Sequence, residues 1–404
     1  MTRLVLSGGR VFDGTGAAPA EADVVIEDGR FLDVGPGLDG DEGVDVTGRT
    51  LLPGFFDTHI HVAMRHEDFD EGRTINEPFS LSFYRTGATL RTLLALGITT
   101  VRDAMGADAG LRAAVDEGTL LGPRMQISVT MLSITGGQND PWLPSGGMGP
   151  WGVYYPGMPS GICDGVDGVT RKVREVIRAG ADVIKIASSG GFFSPNDDPM
   201  EPNFSQSEVD AIVSAAADHG TWVMSHAHGP VGIKRAVRAG VRSIDHGTFL
   251  DEEAAQMMVE KGTWLVPTMT AGDTTEVLAE DPHLSDVVRE KLRGLGRPEF
   301  DAFRLAAAAG VKVAMGSDTP AAPHGTNLNE LSHMAANGFT PTQALVAATS
   351  SAAELMGLSQ ELGTIAPGKR ADVVVVKGDP FAFDTLKDRI EQVWKDGVRV
   401  VPLL

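Results

Sequence analysis

The stretch Phe55-Phe56-Asp57-Thr58-His59-Ile60-His61-Val62 decides how the chain is read. Entered through Leu51-Leu52-Pro53-Gly54, it is a short apolar strand with two histidines two residues apart. Side chains at i and i+2 of a strand share a face, so both imidazoles look into one space. Imidazole is the commonest protein metal ligand, and two that converge suggest a cation site. Strands also carry two histidines by chance, so the reading depends on what the other strands supply.

Downstream, helical and strand patterns alternate. Helical spacing over 82–95 ends at Gly97 and leads to a strand at 98–103, and a helix at 109–117 leads to a strand at 125–131. The same alternation pairs 166–179 with 182–188, 205–219 with 221–227, and 232–239 with 242–246. It continues with 252–261 before 263–268 and 298–309 before 311–317. Together with the first strand this makes eight strands with intervening helices, over about 260 residues, which is the size of a (β/α)8 TIM barrel of the α/β class. Ala-Gly closes three of the helices (Ala179-Gly180, Ala239-Gly240 and Ala309-Gly310), as a left-handed C-cap requires. An open doubly wound sheet is the alternative, but no GxGxxG follows an early strand.

The ends of the chain read differently. Short strands at 4–7, 11–12, 22–27 and 30–34 surround an Asp28-Gly29 hairpin turn, and strands at 371–377 and 392–401 surround Asp396-Gly397. Neither end holds enough core alone. The expectation is one small β-sandwich made from residues 1–52 plus 366–404, around a barrel of residues 53–365. Two unrelated β appendages are the plainer alternative.

Two long loops follow strands: 133–167, rich in Gly and Pro with Trp142, Trp151, Tyr154 and Tyr155, and 190–203, with Phe192 and Phe193. Their place after strands puts them on the barrel face where enzymes of this fold do chemistry, as pocket walls or lids.

Composition narrows the function classes. The 404 residues are 42% hydrophobic and 22% charged, an ordinary globular balance able to bury a large core. A net charge of −20 disfavours nucleic acid and anionic membrane surfaces as partners. The first residues hold too short an apolar run for a signal peptide, and no segment reaches membrane-span length. Cys163 is the only cysteine, which excludes disulfides within the chain, thiolate zinc sites and CxxC chemistry. A cytoplasmic homo-oligomer acting on a small molecule is expected.

The strand ends carry the chemistry. The fourth strand holds Lys185 within an apolar run, the fifth ends in His226 and His228, the sixth in His246 and the eighth in Asp318. Each has a plain structural explanation. A single histidine is usually a hydrogen-bonded core or rim residue, Asp318 before Thr319-Pro320 suits a helix N-cap, and Lys185 could snorkel to solvent. Polar groups at five strand ends of one barrel, however, would converge and need a charge to compensate them. His226 and His228 share a strand face, so geometry alone admits either as a ligand.

These residues are also where the chain resembles the amidohydrolase superfamily. The resemblance rests on residues 52–61 (LPGFFDTHIH), 97–103 (GITTVRD), 316–318 (GSD) and 368–372 (GKRAD), and covers essentially the whole chain. Residues 180–186 (GADVIKI) and 223–227 (VMSHA) are similar to the branch of Xaa-Pro and other carboxy-terminal dipeptidases and imidazolonepropionase-like hydrolases. The resemblance implies two divalent metal ions, zinc first, since the donors are N and O without thiolates. His59, His61 and Asp318 would hold one ion and His226 and His246 the other. Lys185, carboxylated by CO2, would bridge them. A hydroxide shared by the metals would attack an amide carbonyl, with Asp318 moving the proton to the leaving nitrogen.

In dipeptidases of this branch the position of His228 is commonly Tyr, and that of Gln138 commonly His. Gln138 and His228 are read as substrate contacts, with Arg65 and His66 as further rim candidates. The expected activity is hydrolysis of a C–N amide-type bond in a dipeptide or N-acyl amino acid. The alternatives are another amide, lactam, carbamate or urea derivative, a mononuclear deaminase (whose branch lacks the lysine and shows HxxE near the fifth strand), or a non-catalytic scaffold.

Overall fold

The computed structural model describes residues 2–69, 76–143, 145–149 and 154–402; Trp151 lies outside them. The strand Phe55–Ile60 is buried at every position, because one of its faces looks into the barrel and the other against the surrounding helices. It pairs in parallel with Ile98–Asp103, which pairs with Arg124–Ile127. A second parallel run follows in chain order: Met131–Leu132, Ile184–Ala187, Val223–Ala227, Ser243–His246 and Trp264–Val266. The two runs are joined where Asp182 N donates to Ile127 O at 2.8 Å.

Two expected strands take different forms. The third is split, because Val129 adopts a left-handed φ of 65° between Arg124–Ile127 and Met131–Leu132. That turn moves the chain from pairing with the second strand to pairing with the fourth. The eighth, expected at 311–317, is not a regular strand: only Val313 bridges Leu265. Its amides are shared among different neighbours, Ala314 N donating to Leu265 O at 3.1 Å and Met315 N outward to Ala347 O at 3.0 Å. The segment still closes the barrel, since Met315 O accepts from Thr58 N at 2.9 Å and Asp318 N donates to His59 O at 2.7 Å.

The expected helices form outside the strands, from Leu81–Ala95 and Ala109–Asp116 to Glu252–Lys261 and Pro298–Ala309. Gly180, Gly240 and Gly310 all take positive φ, of 101°, 92° and 81°, the conformation a β-carbon disfavours. No helix among the described residues is long and apolar enough to cross a membrane.

Both termini build the sandwich. One sheet is N-terminal, with Arg30–Gly35, Asp23–Glu27, Leu4–Ser7 and Glu42–Asp45 in that order. The other interleaves the ends, Val373–Lys377 lying antiparallel to Arg49–Pro53 with Val374 opposite Leu52. Leu6, Val24, Ile26, Phe31, Leu51, Val373, Val375 and Trp394 fill the space between. The turns Asp28-Gly29 and Asp396-Gly397 have two consecutive positive φ values, as type I′ hairpins need.

Gly316 shows how tightly the barrel closes around the first strand. A methyl group there would press into Val266 and lie 2.8 Å from His59 N and 2.9 Å from His59 Cβ. Gly316→Ala is expected to lower stability by about 1–3 kcal/mol, read as a lower urea midpoint at unchanged slope.

Candidate metal centre

The strand ends bring His59, His61, Lys185, His226, His228, His246 and Asp318 to one cavity. Two of them sit on left-handed backbone, His246 at φ 72° and Asp318 at φ 54°. Such conformations cost free energy in non-glycine residues and persist where the surroundings hold them, commonly at functional sites. Asp57 is one such support, since its carboxylate accepts from Ser317 N at 3.0 Å, Ser317 Oγ at 2.6 Å and Asn327 Nδ2 at 2.9 Å.

The side chains form two overlapping groups. Ligand atoms of His59, His246 and Asp318 lie within 4.8 Å of one another, as do those of His226, His228 and His246. One Asp318 oxygen is 3.3 Å from His59 Nε2 and 3.2 Å from His61 Nε2. The His246 ring is central, 4.8 Å from that of His59, 4.6 Å from His226 and 4.9 Å from His228.

Each imidazole is anchored by one nitrogen. His59 Nδ1 lies 3.0 Å from Asp245 Oδ2, and His61 Nδ1 lies 3.0 Å from Met105 O. His226 Nε2 lies 3.2 Å from Gly190 O. Carbonyls only accept, so His61 Nδ1 and His226 Nε2 carry a proton, while the Nε2 atoms of His59 and His61 both face the Asp318 carboxylate. His246 Nδ1 and His228 Nδ1 face Thr268 Oγ1 and Thr248 Oγ1, both at 2.7 Å. Imidazole and carboxylate donors gathered within 4.8 Å of one another, several of them held from behind, suit a divalent cation. The donor set fits.

Electrostatics agree with that fit. Burial, followed by the Lys185 charge, pushes His226 down to about 3. Burial and the neighbouring His226 hold His228 and His246 well below their ordinary value. These three rings are therefore neutral at pH 7, as ligation demands, whereas Asp318 draws His61 upward against the effect of its burial. Burial opposes ionisation of Asp318, but its contacts with His59 and His61 hold it well below the usual carboxylate range. Burial also lowers Lys185, with Asp245 partly opposing.

Sequence reasoning missed what lies beneath. Asp245 is fully buried, and its Oδ2 is shared by His59 Nδ1 and Lys185 Nζ, the latter at 3.1 Å. Its other oxygen accepts from Ser243 Oγ at 2.8 Å and from Arg102 Nη2 at 3.3 Å. Arg102 is itself buried and donates through Nε to Thr58 O at 2.6 Å. The available signal was a pair of opposite charges inside two apolar strands, which is costly unless they meet.

Above the centre is a cavity of about 440 Å³. Both long loops line it, through Gln138, Pro141, Trp142 and Leu143 and through Phe192, Phe193 and Pro195. A third wall, unforeseen, comes from the segment after the seventh strand, with Leu284, Val288 and Leu292. Gln138 packs against Gly191, where a β-carbon would overlap its amide, and its buried Oε1 has no partner among the described residues. Arg65 is drawn to Asp68 and Glu77 at 2.5 and 3.3 Å, and His66 to Pro320 O at 3.0 Å; neither lines the cavity. Burial pushes the Cys163 thiol up to about 12, which makes it unreactive.

The amidohydrolase family model matches residues 50–400. Ochratoxinase from Aspergillus niger is 34% identical over 367 residues, covering 86% of this chain and 75% of that protein. Among solved structures, a Xaa-Pro dipeptidase with methionine bound in its active site superposes with a TM-score of 0.89 at 33% identity, covering 98% of this chain and 99% of its own. A prolidase in complex with N-methylphosphonate-L-proline gives a TM-score of 0.90 at 35% identity, covering 99% of both chains.

Because Asp245 Oδ2 lies 3.0 Å from His59 Nδ1 and 3.1 Å from Lys185 Nζ, Asp245→Asn is expected to weaken divalent-metal affinity about 10- to 100-fold. Competition with a chromophoric chelator measures it, and unchanged affinity would remove Asp245 from the site.

Proposed function

The chain belongs to the amidohydrolase family, and from that premise we propose that it hydrolyses the amide bond of an N-acyl amino acid or dipeptide with an apolar part, using two divalent ions. The observation that carries this reading is the meeting of His59 and His61 Nε2 on one Asp318 oxygen, with His226, His228 and His246 in an overlapping donor group, beneath an apolar cavity. His59, His61 and Asp318 would hold one ion, and His226 and His246 the other. Zinc suits the all-N/O donor set.

Lys185 would join the two sites. Burial favours its neutral amine, which can add to CO2 and lose a proton to give an anionic carbamate. That product keeps one N–H on the nitrogen facing Asp245.

Divalent ions bound there would supply a nucleophilic water at neutral pH and polarise the scissile carbonyl. Asp318, held ionised by its histidine neighbours, takes the proton and delivers it to the leaving nitrogen. His228 and Gln138 orient the substrate's polar end. Phe192, Phe193, Trp142, Leu284 and Val288 receive the apolar part and exclude water. Two relatives hold methionine and a phosphonate derivative of proline, which supports an amino-acid amide as substrate.

A second reading is favoured by one feature of the walls. Among the described residues no arginine lines the cavity, so a substrate carboxylate would rest on the neutral His228 and Gln138. That favours a neutral amide, lactam, carbamate or urea. Paired substrates, each free acid against its carboxamide, separate the two: faster turnover of the acids supports the first reading, faster turnover of the carboxamides the second.

Chelation should abolish hydrolysis and added zinc restore it. Asp318→Asn should lower kcat about 10²- to 10⁴-fold with the fold intact, the range general acid–base catalysis contributes. Lys185→Ala should lose activity and regain part of it with short carboxylic acids; activity retained without them would remove Lys185 from the centre.

A further inference from the structure

Lys291 lies in the helix Asp286–Leu292, in the segment that forms the third cavity wall. Its ammonium is turned inward instead of to water. It donates to Gly191 O at 2.9 Å, to Ser194 O at 2.7 Å and to Asp197 O, and it stands 3.3 Å from Asp197 Oδ1. Every acceptor belongs to one loop, 190–203, which has no helix or strand of its own. Asp197 Oδ2 also accepts from Gly191 N at 3.2 Å, closing residues 191–197 into a ring around the cation. Both charged side chains are largely shielded from water, 14% exposed for Lys291 and 5% for Asp197, so the pair is not a solvated surface bridge.

The same loop touches the candidate site at three points. Gly190 O lies 3.2 Å from His226 Nε2, the Phe192 ring is 4.6 Å from that of His228, and Gly191 packs against Gln138. Phe192 and Phe193 also pack with Leu278, Val288 and Leu292, on the segment that carries Lys291. One ammonium therefore gathers carbonyls that would otherwise face a cavity wall without partners, and ties the wall after the fourth strand to the wall after the seventh.

We propose that Lys291 is a positioning residue for substrate binding: a tethered cation that fixes loop 190–197 and, through it, the placement of Phe192, His228 and Gln138. It touches no reacting atom. Lysine suits the role, because a compact ammonium can be surrounded by several carbonyls where a planar guanidinium cannot.

The test uses the metal-loaded full chain and compares wild type, Lys291→Met, and Lys291→Cys before and after alkylation with 2-bromoethylamine, which restores an ammonium on a side chain of lysine length. Cys163 is buried with its thiol pushed up to about 12, so it stays unmodified. In Lys291→Met, amide hydrogen exchange over 190–197 is expected to quicken about tenfold, while the strands Ile184–Ala187 and Val223–Ala227 keep their protection. KM for the hydrolysed amide should rise about tenfold with a smaller change in kcat, and aminoethylation of the cysteine variant should reverse both effects. Exchange over 190–197 that stays unchanged in Lys291→Met overturns the proposal. So does exchange that quickens equally in the barrel strands, or that aminoethylation fails to slow. The KM readout rests on the hydrolase reading, whereas the exchange readout needs no substrate, so failure of one is distinguishable from failure of the other.

Discussion

One carboxylate holds the charge balance under the mouth of the barrel. Asp245, on the sixth strand, meets His59 from the first, Arg102 from the second and Lys185 from the fourth. Burial opposes its ionisation, yet Lys185, Arg102 and His59 hold it far below the usual carboxylate range. In a low-dielectric interior, removing one partner of such a set leaves an uncompensated charge, and the fold tolerates that poorly. Four strands thus meet at one residue, which lies directly behind His59. The neighbouring His246, on left-handed backbone, is where the two ligand groups overlap.

Much of this was legible because period-two strands make their ends readable. His59 with His61 and His226 with His228 announce themselves by spacing, and Lys185 by being a charge within Val-Ile-Lys-Ile. Asp245 and Arg102 were not legible, because neither has a local reason to be there. Each is explained only by the other across the barrel, a contact 143 residues apart along the chain. The break at Val129 was hidden for a related reason: a β-branched residue at positive φ defies local preference and is held by the pairing on either side. The eighth segment kept a strand's composition but not its ladder, since its amides serve several neighbours at once.

The walls were the least legible part. The segment 269–297 lacks the periodicity of a helix or strand long enough to stand out, yet its short helices Thr275–Leu278 and Asp286–Leu292 close one side of the cavity. Its pairing with loop 190–203 depends on Lys291 finding carbonyls about a hundred positions away, as in the bond to Gly191. This separation of roles is familiar in barrel enzymes: strands fix the chemistry, and loops fix what reaches it. The chain shares its fold with a Xaa-Pro dipeptidase and a prolidase, and the proposed substrate contacts Gln138 and His228 stand beside the aromatic walls of the cavity.

The proposed centre holds two ions with Lys185 between them. The most direct measurement is the metal content of the purified wild-type chain, by elemental analysis after dialysis against metal-free buffer. Two divalent ions per chain is the predicted result. A chain that retains one ion at most, when loaded with excess zinc and bicarbonate, would contradict it.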